Sequence, residues 1–204
     1  MSGKLIVLEG IDGSGKGTQL DMLRAQLISA GHKVWVTHEP ADNKIGRLIR
    51  ESLKDSSQFD EATIALLFAA DRLEHIREMK KHIAAGDIVL CDRYVLSSLA
   101  YNSQSLTLEW ILSLNQEADK RLQPDLTLYF DLDAQTAMAR IGARGDDHER
   151  YETQRQLYQV RDMYRMLADV RHADNVTTID ASQAPDKVFQ DTWQAVQQVL
   201  DTSI

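Results

Sequence analysis

The sequence predicts an α/β fold, a five-stranded and mostly parallel sheet with helices on both faces. Three observations lead there. Five short apolar runs, at 4–8, 33–37, 87–92, 125–131 and 175–180, alternate with seven stretches of helical apolar spacing. The runs read as near-continuous Val, Ile and Leu rather than as alternating polar and apolar residues, which marks strands buried on both sides. A glycine-rich segment follows the first run and opens the first helix, the strand–turn–helix order that parallel sheets use to hold ligands.

The first strand is Leu5-Ile6-Val7-Leu8, and the helix predicted over 16–30 presents Leu20, Leu23, Leu27 and Ile28 on one face. After the second strand, at 33–37, come helices over 44–54 and 60–85. The longer of these draws its core side from Leu66, Leu67, Leu73, Ile76 and Ile83. The third strand carries Ile88-Val89-Leu90-Cys91 and is followed by a helix over 106–121. A fourth strand, helices over 134–142 and 152–172, a fifth strand and a last helix over 185–201 complete the order. The three prolines, at 40, 124 and 185, each fall near an element boundary. Ligands in such sheets lie beyond the carboxyl ends of the strands. The segments to search are therefore 9–18, 38–43, 92–102, 132–150 and 180–185.

A chain of 204 residues is long enough for one domain with a full core, and 43% apolar content is ordinary for a globular protein. The sequence shows no repeat or linker, so 1–204 reads as a single domain. A net charge of −8 argues against a broad nucleic-acid surface. It leaves room for a local positive pocket that takes a small phosphorylated molecule. Apolar runs fall well short of the roughly 20 residues of a membrane span, and no signal-peptide pattern opens the chain. Cys91 is the only cysteine, which excludes an intrachain disulfide; its strand setting marks it as packing. The six histidines form no metal-ligand spacing with it and read as surface or structural residues. Together these features predict a cytoplasmic enzyme without nucleic-acid or membrane partners.

Most of the chemistry is concentrated in Gly10-Ile11-Asp12-Gly13-Ser14-Gly15-Lys16-Gly17-Thr18-Gln19. Glycines let backbone N–H groups converge on an anion, the helix N-terminus adds positive potential, and Lys16 adds a full charge. The common phosphate-loop pattern puts Ser or Thr directly after the Lys to meet magnesium. Here that position is Gly17, with Thr18 one later, so waters and carboxylates carry more of the metal's coordination. The run resembles the nucleoside monophosphate kinases, adenylate kinase above all, and implies a phosphotransferase rather than a GTPase switch.

Asp92-Arg93-Tyr94 follows the third strand. An acid there can hold magnesium through water or orient an acceptor phosphate, and Arg93 can clamp phosphate oxygens. Phe68 and Arg72 stand four apart on one helix face; a ring can stack on a base while a guanidinium donates to it. Spacing alone nevertheless favours a core Phe and a surface Arg at these positions. Ser98 and Asn102, also four apart, could read a base edge or equally be a capping Ser and a turn Asn. Residues 140–150, Arg140-Ile141-Gly142-Ala143-Arg144-Gly145-Asp146-Asp147-His148-Glu149-Arg150, interrupt a helix with glycine and dense charge. That segment reads as a solvated loop or as a lid that brings arginines onto ATP.

Taken in order, these pieces resemble the thymidylate kinase family over essentially the whole chain. The matching stretches are 9–19, Glu39-Pro40, Leu67-Phe68-Ala69-Ala70-Asp71-Arg72, Asp92-Arg93-Tyr94 with Ser97-Ser98-Leu99-Ala100-Tyr101, Pro124-Asp125-Leu126-Thr127-Leu128-Tyr129 and 140–150. The resemblance implies a P-loop NTPase-type sheet with a short lid near 140–152. It implies phosphorylation of dTMP to dTDP by ATP with Mg2+, and a homodimer formed through the 60–85 and 106–121 helices. Donor phosphates would lie on Gly10, Gly13, Ser14, Gly15, Lys16, Gly17 and Thr18, with Arg140 and Ser182 also on the ATP side. The stretch Asp180-Ala181-Ser182-Gln183 resembles the adenine loop. On the acceptor side, Asp12 would hold the sugar 3′-hydroxyl and help organise the metal together with Asp92. Phe68 would stack on thymine, Arg72 would donate to it, Arg93 would bind the acceptor phosphate, and Ser98 and Asn102 would face the base edge. Tyr101 would lie under the sugar, and Glu39 would border the same site. Gly13 stands where one branch of the family has an arginine. This resembles the bacterial branch, whose catalytic arginine comes from the lid, and makes Arg144 the candidate with Arg150 behind it.

Several positions depart from the family pattern. His38 stands where Arg is frequent, Ala41-Asp42-Asn43 where Gly-Gly-Thr is frequent, Leu96 where an acid is, and Asn102 where Gln is; the segment after it is shortened to Ser103-Gln104-Ser105. All border the acceptor site and bear on the strictness of dTMP selection. Other readings are a kinase for another deoxynucleoside monophosphate and an ATP-dependent switch or binding module. An acceptor panel separates the former, and a requirement of ATP turnover for a monophosphate separates the latter.

Overall fold

A computed structural model of the chain describes residues 3–54, 59–144, 154–171 and 175–201. Five strands, β1 (Lys4–Glu9), β2 (Val34–His38), β3 (Ile88–Asp92), β4 (Leu126–Asp131) and β5 (Val176–Asp180), form one sheet in the order β2-β3-β1-β4-β5. Every pairing is parallel. The helices are α1 (Lys16–Ser29), α2 (Lys44–Lys54), α3 (Glu61–Ala84), α4 (Val95–Asn102), α5 (Leu108–Arg121), α6 (Ala134–Arg144), α7 (Gln154–Val170) and α8 (Pro185–Asp201). They cover both faces, so β1, β3 and β4 are buried along nearly their whole length.

The strand register places the ligand side of the sheet. Leu8 and His38 both lie level with Asp92, and Asp131 lies level with Asp180. The carboxyl ends of the strands thus form one rim, and the segments singled out in the sequence leave it together. Local chemistry fixes the helix starts around that rim. Asp60 accepts from the Thr63 amide at 2.7 Å to open α3, whose last turn holds Lys81 and His82 against the helix dipole. Asn43 Oδ1 accepts from the amides of Ile45 and Gly46 at the start of α2. Asp133 accepts from the Thr136 amide at 2.8 Å to open α6, and α8 begins with Pro185.

The strands and seven of the helices match the sequence reading to within a few residues. The helix that the sequence did not announce is α4. Seven of its eight residues are buried, the polar Ser97, Ser98 and Asn102 among them, so it has no solvent face, and it is too short for a clear period. Two apolar assignments need correction. Ile28 is 51% exposed, and so lies off the buried stripe of α1. Leu66 is 50% exposed, and the buried stripe of α3 instead runs Ala65, Ala69, Arg72, Ile76 and Met79, with Asp71 and His75 beside it. The core side of this helix therefore carries the chemistry. Cys91, as expected, is fully buried in β3.

Gly46 lets α2 pack onto the loop after β2. A Cβ built there would lie 1.9 Å from the carbonyl oxygen of Ala41. Gly46→Ala is expected to lower stability by about 1–3 kcal/mol as helix and loop are forced apart. Chemical denaturation against the parent chain measures it; an unchanged midpoint would show that the contact is readily relieved.

Candidate active site

The loop between β1 and α1 wraps a cavity at the sheet rim. Its glycines hold conformations closed to other residues: Gly13 has φ +80 and Gly15 φ +93. At Gly13 the restriction is doubled, because a Cβ would stand 2.5 Å from the carbonyl of Ala137 in α6. Lys16, 6% exposed, donates from Nζ to the carbonyls of Gly10 at 2.9 Å and Ile11 at 3.3 Å. Burial, and then the nearby Arg93, lower its ammonium pKa against the pull of Asp92, Asp12 and Glu9. Gly17 and Thr18 are exposed at the mouth, and nothing lies within 4 Å of a Cβ built at Gly17.

This cavity has a volume of about 620 Å³. The 12–19 segment forms one wall; Asp92, Arg140, Ala181, Gln183 and Val188 are among the others. Arg140 donates to the Ala181 carbonyl, which places a cation between the loop and the segment after β5. Ser182, named from the sequence, does not line the cavity. Its hydroxyl turns away to Asp180 Oδ1 at 2.6 Å, while its neighbours Ala181 and Gln183 face in. Gly10 meets the site through its carbonyl, which Lys16 and Arg93 share. Arg150 lies outside the described residues, as does the side chain of Arg144.

A second, narrower cavity of about 120 Å³ adjoins the first. It is lined by Asp12, Glu39, Phe68, Arg72, Arg93, Ser98, Tyr101 and Asn102, and also by Pro40, Leu53 and Ser97. Every acceptor-side residue named from the sequence is thus brought to one hollow. Asp12 is the residue that lines both cavities. Arg93 stands beside it in an unusual backbone state, φ +71, at the turn from β3 into α4. Its Nη2 donates to Asp12 Oδ1 at 2.6 Å and to the Tyr101 hydroxyl at 3.3 Å; its Nη1 donates to Ser97 Oγ at 3.1 Å. Burial works against the charge of Asp12, yet Arg93 and then Lys16 outweigh it and hold the carboxyl below its ordinary pKa.

Spacing alone had favoured an exposed Arg72. The structure reverses that reading: Arg72 is 1% exposed. Its guanidinium donates from Nε to Glu39 Oε2 at 2.9 Å, and from Nη2 to the Tyr94 carbonyl and Ser98 Oγ, both at 3.0 Å; Nη1 donates to Asn115 Oδ1. Glu39 Oε1 also meets His75 Nδ1 at 3.3 Å, and His75 Nε2 meets Thr37 Oγ1 at 2.7 Å. A period count cannot anticipate an arginine whose charge is neutralised by a residue thirty-three positions away. Phe68, by contrast, is half-buried at the cavity wall.

Sequence reasoning missed three supporting residues. Asp71 accepts from the Ala41 amide at 2.8 Å and from Asn43 Nδ2 at 2.6 Å, which shapes the loop after β2. Asn115 reaches Arg72 from α5 with no motif to announce it. Glu9, fully buried at the end of β1, accepts from the amides of Tyr94 and Ser97 and from the hydroxyls of Ser97 and Tyr164. An acid at the end of an apolar strand beside the glycine loop was a readable signal for Glu9.

Arg72→Ala is expected to cost about 3–5 kcal/mol of stability, because Glu39 would stay buried without its cation. Phe68→Ala, at the half-exposed wall, is expected to leave the fold near wild type and raise the KM for the acceptor about tenfold. Thermal denaturation and steady-state kinetics of the two variants test the contrast; equal stability losses would place Phe68 in the core.

Comparison with known proteins agrees with this arrangement. The thymidylate kinase family profile matches residues 8–192. A probable thymidylate kinase of Pyrococcus abyssi is 37% identical over 98% of each chain. A thymidylate kinase of Exiguobacterium sibiricum is 38% identical over 90% of this chain and 89% of its own. One from Limosilactobacillus fermentum is 37% identical over 96% of this chain and 95% of its own. With the glycine loop, the buried Arg72 and the paired cavities in place along this whole length, the chain belongs to the thymidylate kinase family.

Proposed function

We propose that this chain transfers the γ-phosphoryl group of ATP to the 5′-phosphate of dTMP, giving dTDP and ADP. One observation carries the reading: two cavities of different character meet at Asp12, with Lys16 on one side of the junction and Arg93 on the other. A hydrolase or a nucleotide switch needs only the first cavity. A hollow with an aromatic wall, two arginines and small polar groups is a site for a second, anionic, base-bearing substrate.

In this reading the loop amides and Lys16 hold the donor phosphates, and Arg140 with the 181–183 segment borders the donor nucleoside. Phe68 stacks on the base, Arg72 and Ser98 offer donors to it, and Asn102 completes the edge. Tyr101 packs beneath the sugar, Asp12 takes its 3′-hydroxyl, and Arg93 clamps the acceptor phosphate. An incoming phosphate competes with Asp12 for the Arg93 guanidinium and with the carbonyls of Gly10 and Ile11 for Lys16. Two like-charged phosphates can then approach in line between fixed cations, and positioning with electrostatic stabilisation supplies most of the catalysis.

The donor set fits a magnesium ion. Asp92 Oδ1 is buried at the loop cavity without a hydrogen-bond partner, and Asp12 lies at the same junction. Among the described residues no cluster of three or more His, Cys, Asp or Glu could hold a metal alone. The ion would complete its shell with phosphate and water oxygens, as Gly17 offers no hydroxyl. When bound, it would neutralise charge on the donor phosphates.

The chain works as one domain with a lid near 140–152, of the branch in which the lid supplies the arginine. Two features support this: Gly13 has no room for a side chain, and α6 runs from the donor cavity to Arg144. We assign the protein to the cytoplasm as a homodimer through α3 and α5. No helix among the described residues is long and apolar enough to cross a membrane.

Turnover of dTMP, dUMP, dCMP, dGMP and AMP with ATP and magnesium tests the substrate. The expected result is a kcat/KM for dTMP well above the rest; a different preferred monophosphate would reassign the acceptor, and turnover without any would remove the transfer reading. Arg144→Ala is expected to lower kcat by roughly 10³-fold or more with little change in the KM for dTMP, since such arginines act mainly in the transition state. Arg150→Ala is expected to be milder. The reverse order in kcat would exchange their roles, and small effects at both would leave the segment a solvated loop.

A further inference from the structure

Glu9 and Tyr164 line neither cavity, yet both reach the residue that holds Arg93. Tyr164 is a fully buried side chain of α7. Its hydroxyl lies 2.8 Å from Glu9 Oε2 and 2.8 Å from Ser97 Oγ, while Ser97 Oγ lies 2.6 Å from Glu9 Oε2. These three oxygens form a closed triangle. Its ring is fixed independently, stacked on Tyr129 at 5.3 Å between centroids and edge-on to Tyr101 at 6.3 Å.

We propose that Glu9 and Tyr164 are positioning residues for Arg93, acting through Ser97. Two hydroxyl protons serve the three edges of the triangle when Glu9 is ionised. The arrangement that best satisfies the buried carboxylate gives both protons to Glu9 Oε2. Ser97 Oγ is then left with its lone pairs free, and one accepts from Arg93 Nη1 at 3.1 Å. Meanwhile Glu9 Oε1 accepts from the amides of Tyr94 at 2.8 Å and Ser97 at 3.1 Å. Those are the amides of the N-cap and of the third residue of α4, and Tyr94, the N-cap, makes no side-chain capping bond of its own. One carboxylate therefore fixes the start of the helix that carries Ser98, Tyr101 and Asn102, and also sets the hydroxyl that orients the guanidinium. The turn between them holds Arg93 at positive φ, a conformation that persists only where its surroundings enforce it.

This inference rests on Arg93 as the clamp for the acceptor phosphate, and the experiment separates the two. Tyr164→Phe keeps both ring contacts and removes only the hydroxyl. The expected result is a rise of about fivefold in the KM for dTMP with the KM for ATP changed less than about twofold. In a Ser97→Ala background the same substitution is expected to add less than about twofold, since the path to Arg93 is already cut. Glu9→Gln is the second variant: its amide would donate to Ser97 Oγ in competition with Arg93, and it should reproduce the selective dTMP effect. Arg93→Lys is measured alongside. Should Arg93→Lys leave the KM for dTMP unchanged, the clamp assignment falls and this inference with it. Where Arg93→Lys is impaired, a folded Tyr164→Phe with wild-type KM for dTMP, or a parallel rise in both KM values, overturns the positioning role alone. If Tyr164→Phe does not fold, Glu9→Gln decides by the same criterion.

Discussion

The acceptor half of this molecule depends on the buried ion pair between Arg72 and Glu39. Each side chain is nearly inaccessible, and each draws further partners from different parts of the chain. Arg72 belongs to α3, and its other donors go to the turn before α4, to α4 itself and to α5; Glu39 follows β2 and also meets His75. Removing two charges from water is expensive, and such a pair contributes little net stability compared with apolar packing. What it supplies is geometry. Four elements that share no local sequence are registered to one guanidinium, and the hollow between them keeps its shape before any substrate arrives.

The junction between the two cavities follows the opposite rule. There Lys16 and Arg93 sit among Asp12, Asp92 and Glu9, with charges balanced by contacts that a ligand can replace. Lys16 rests on loop carbonyls, and Arg93 is aimed by Ser97 and Tyr101 and paired with a half-exposed Asp12. An acidic protein of net charge −8 can thus hold two anionic substrates. The sheet rim concentrates its few useful cations beside the carboxylates of Asp12 and Asp92.

The sequence announced what is local and periodic. The glycine loop needs no tertiary information: consecutive residues hold the phosphate-binding geometry, and an apolar strand and an amphipathic helix flank it. The parallel sheet was legible for the same reason, because strands buried on both faces are apolar throughout. Legibility failed where burial is polar. The face of α3 that carries Arg72, Asp71 and His75 mimics a solvent face in any hydropathy count, since its partners come from β2, α4 and α5. Helix α4 failed from the other side, buried all round and short, with its N-terminal cap supplied by a carboxylate from β1. Tyr164 left no trace at all, because its part is defined by two oxygens that lie 67 and 155 positions away along the chain. Local pattern and spacing singled out the glycine loop, Asp92-Arg93, Phe68 with Arg72 and Ser98 with Asn102, while their specific roles came through family resemblance.

The departures after β2 show how such a polar framework absorbs substitution. Where the family resemblance leads one to expect Gly-Gly-Thr, this chain has Ala41-Asp42-Asn43, and side-chain and backbone contacts hold the loop. Asn43 donates to Asp71 and caps α2 with its own oxygen; the Ala41 amide donates to the other oxygen of Asp71; Arg50 reaches back to the Pro40 carbonyl at 2.7 Å and to Asp42. Of residues 39–43, only Glu39 and Pro40 line the acceptor hollow. Ala41 is buried behind that wall, while Asp42 is largely exposed and pairs with Arg50 and His38. Glu39 holds its place against Arg72, and the side chains of Ala41, Asp42 and Asn43 stay out of the hollow. Asn102 is the departure that faces the hollow itself.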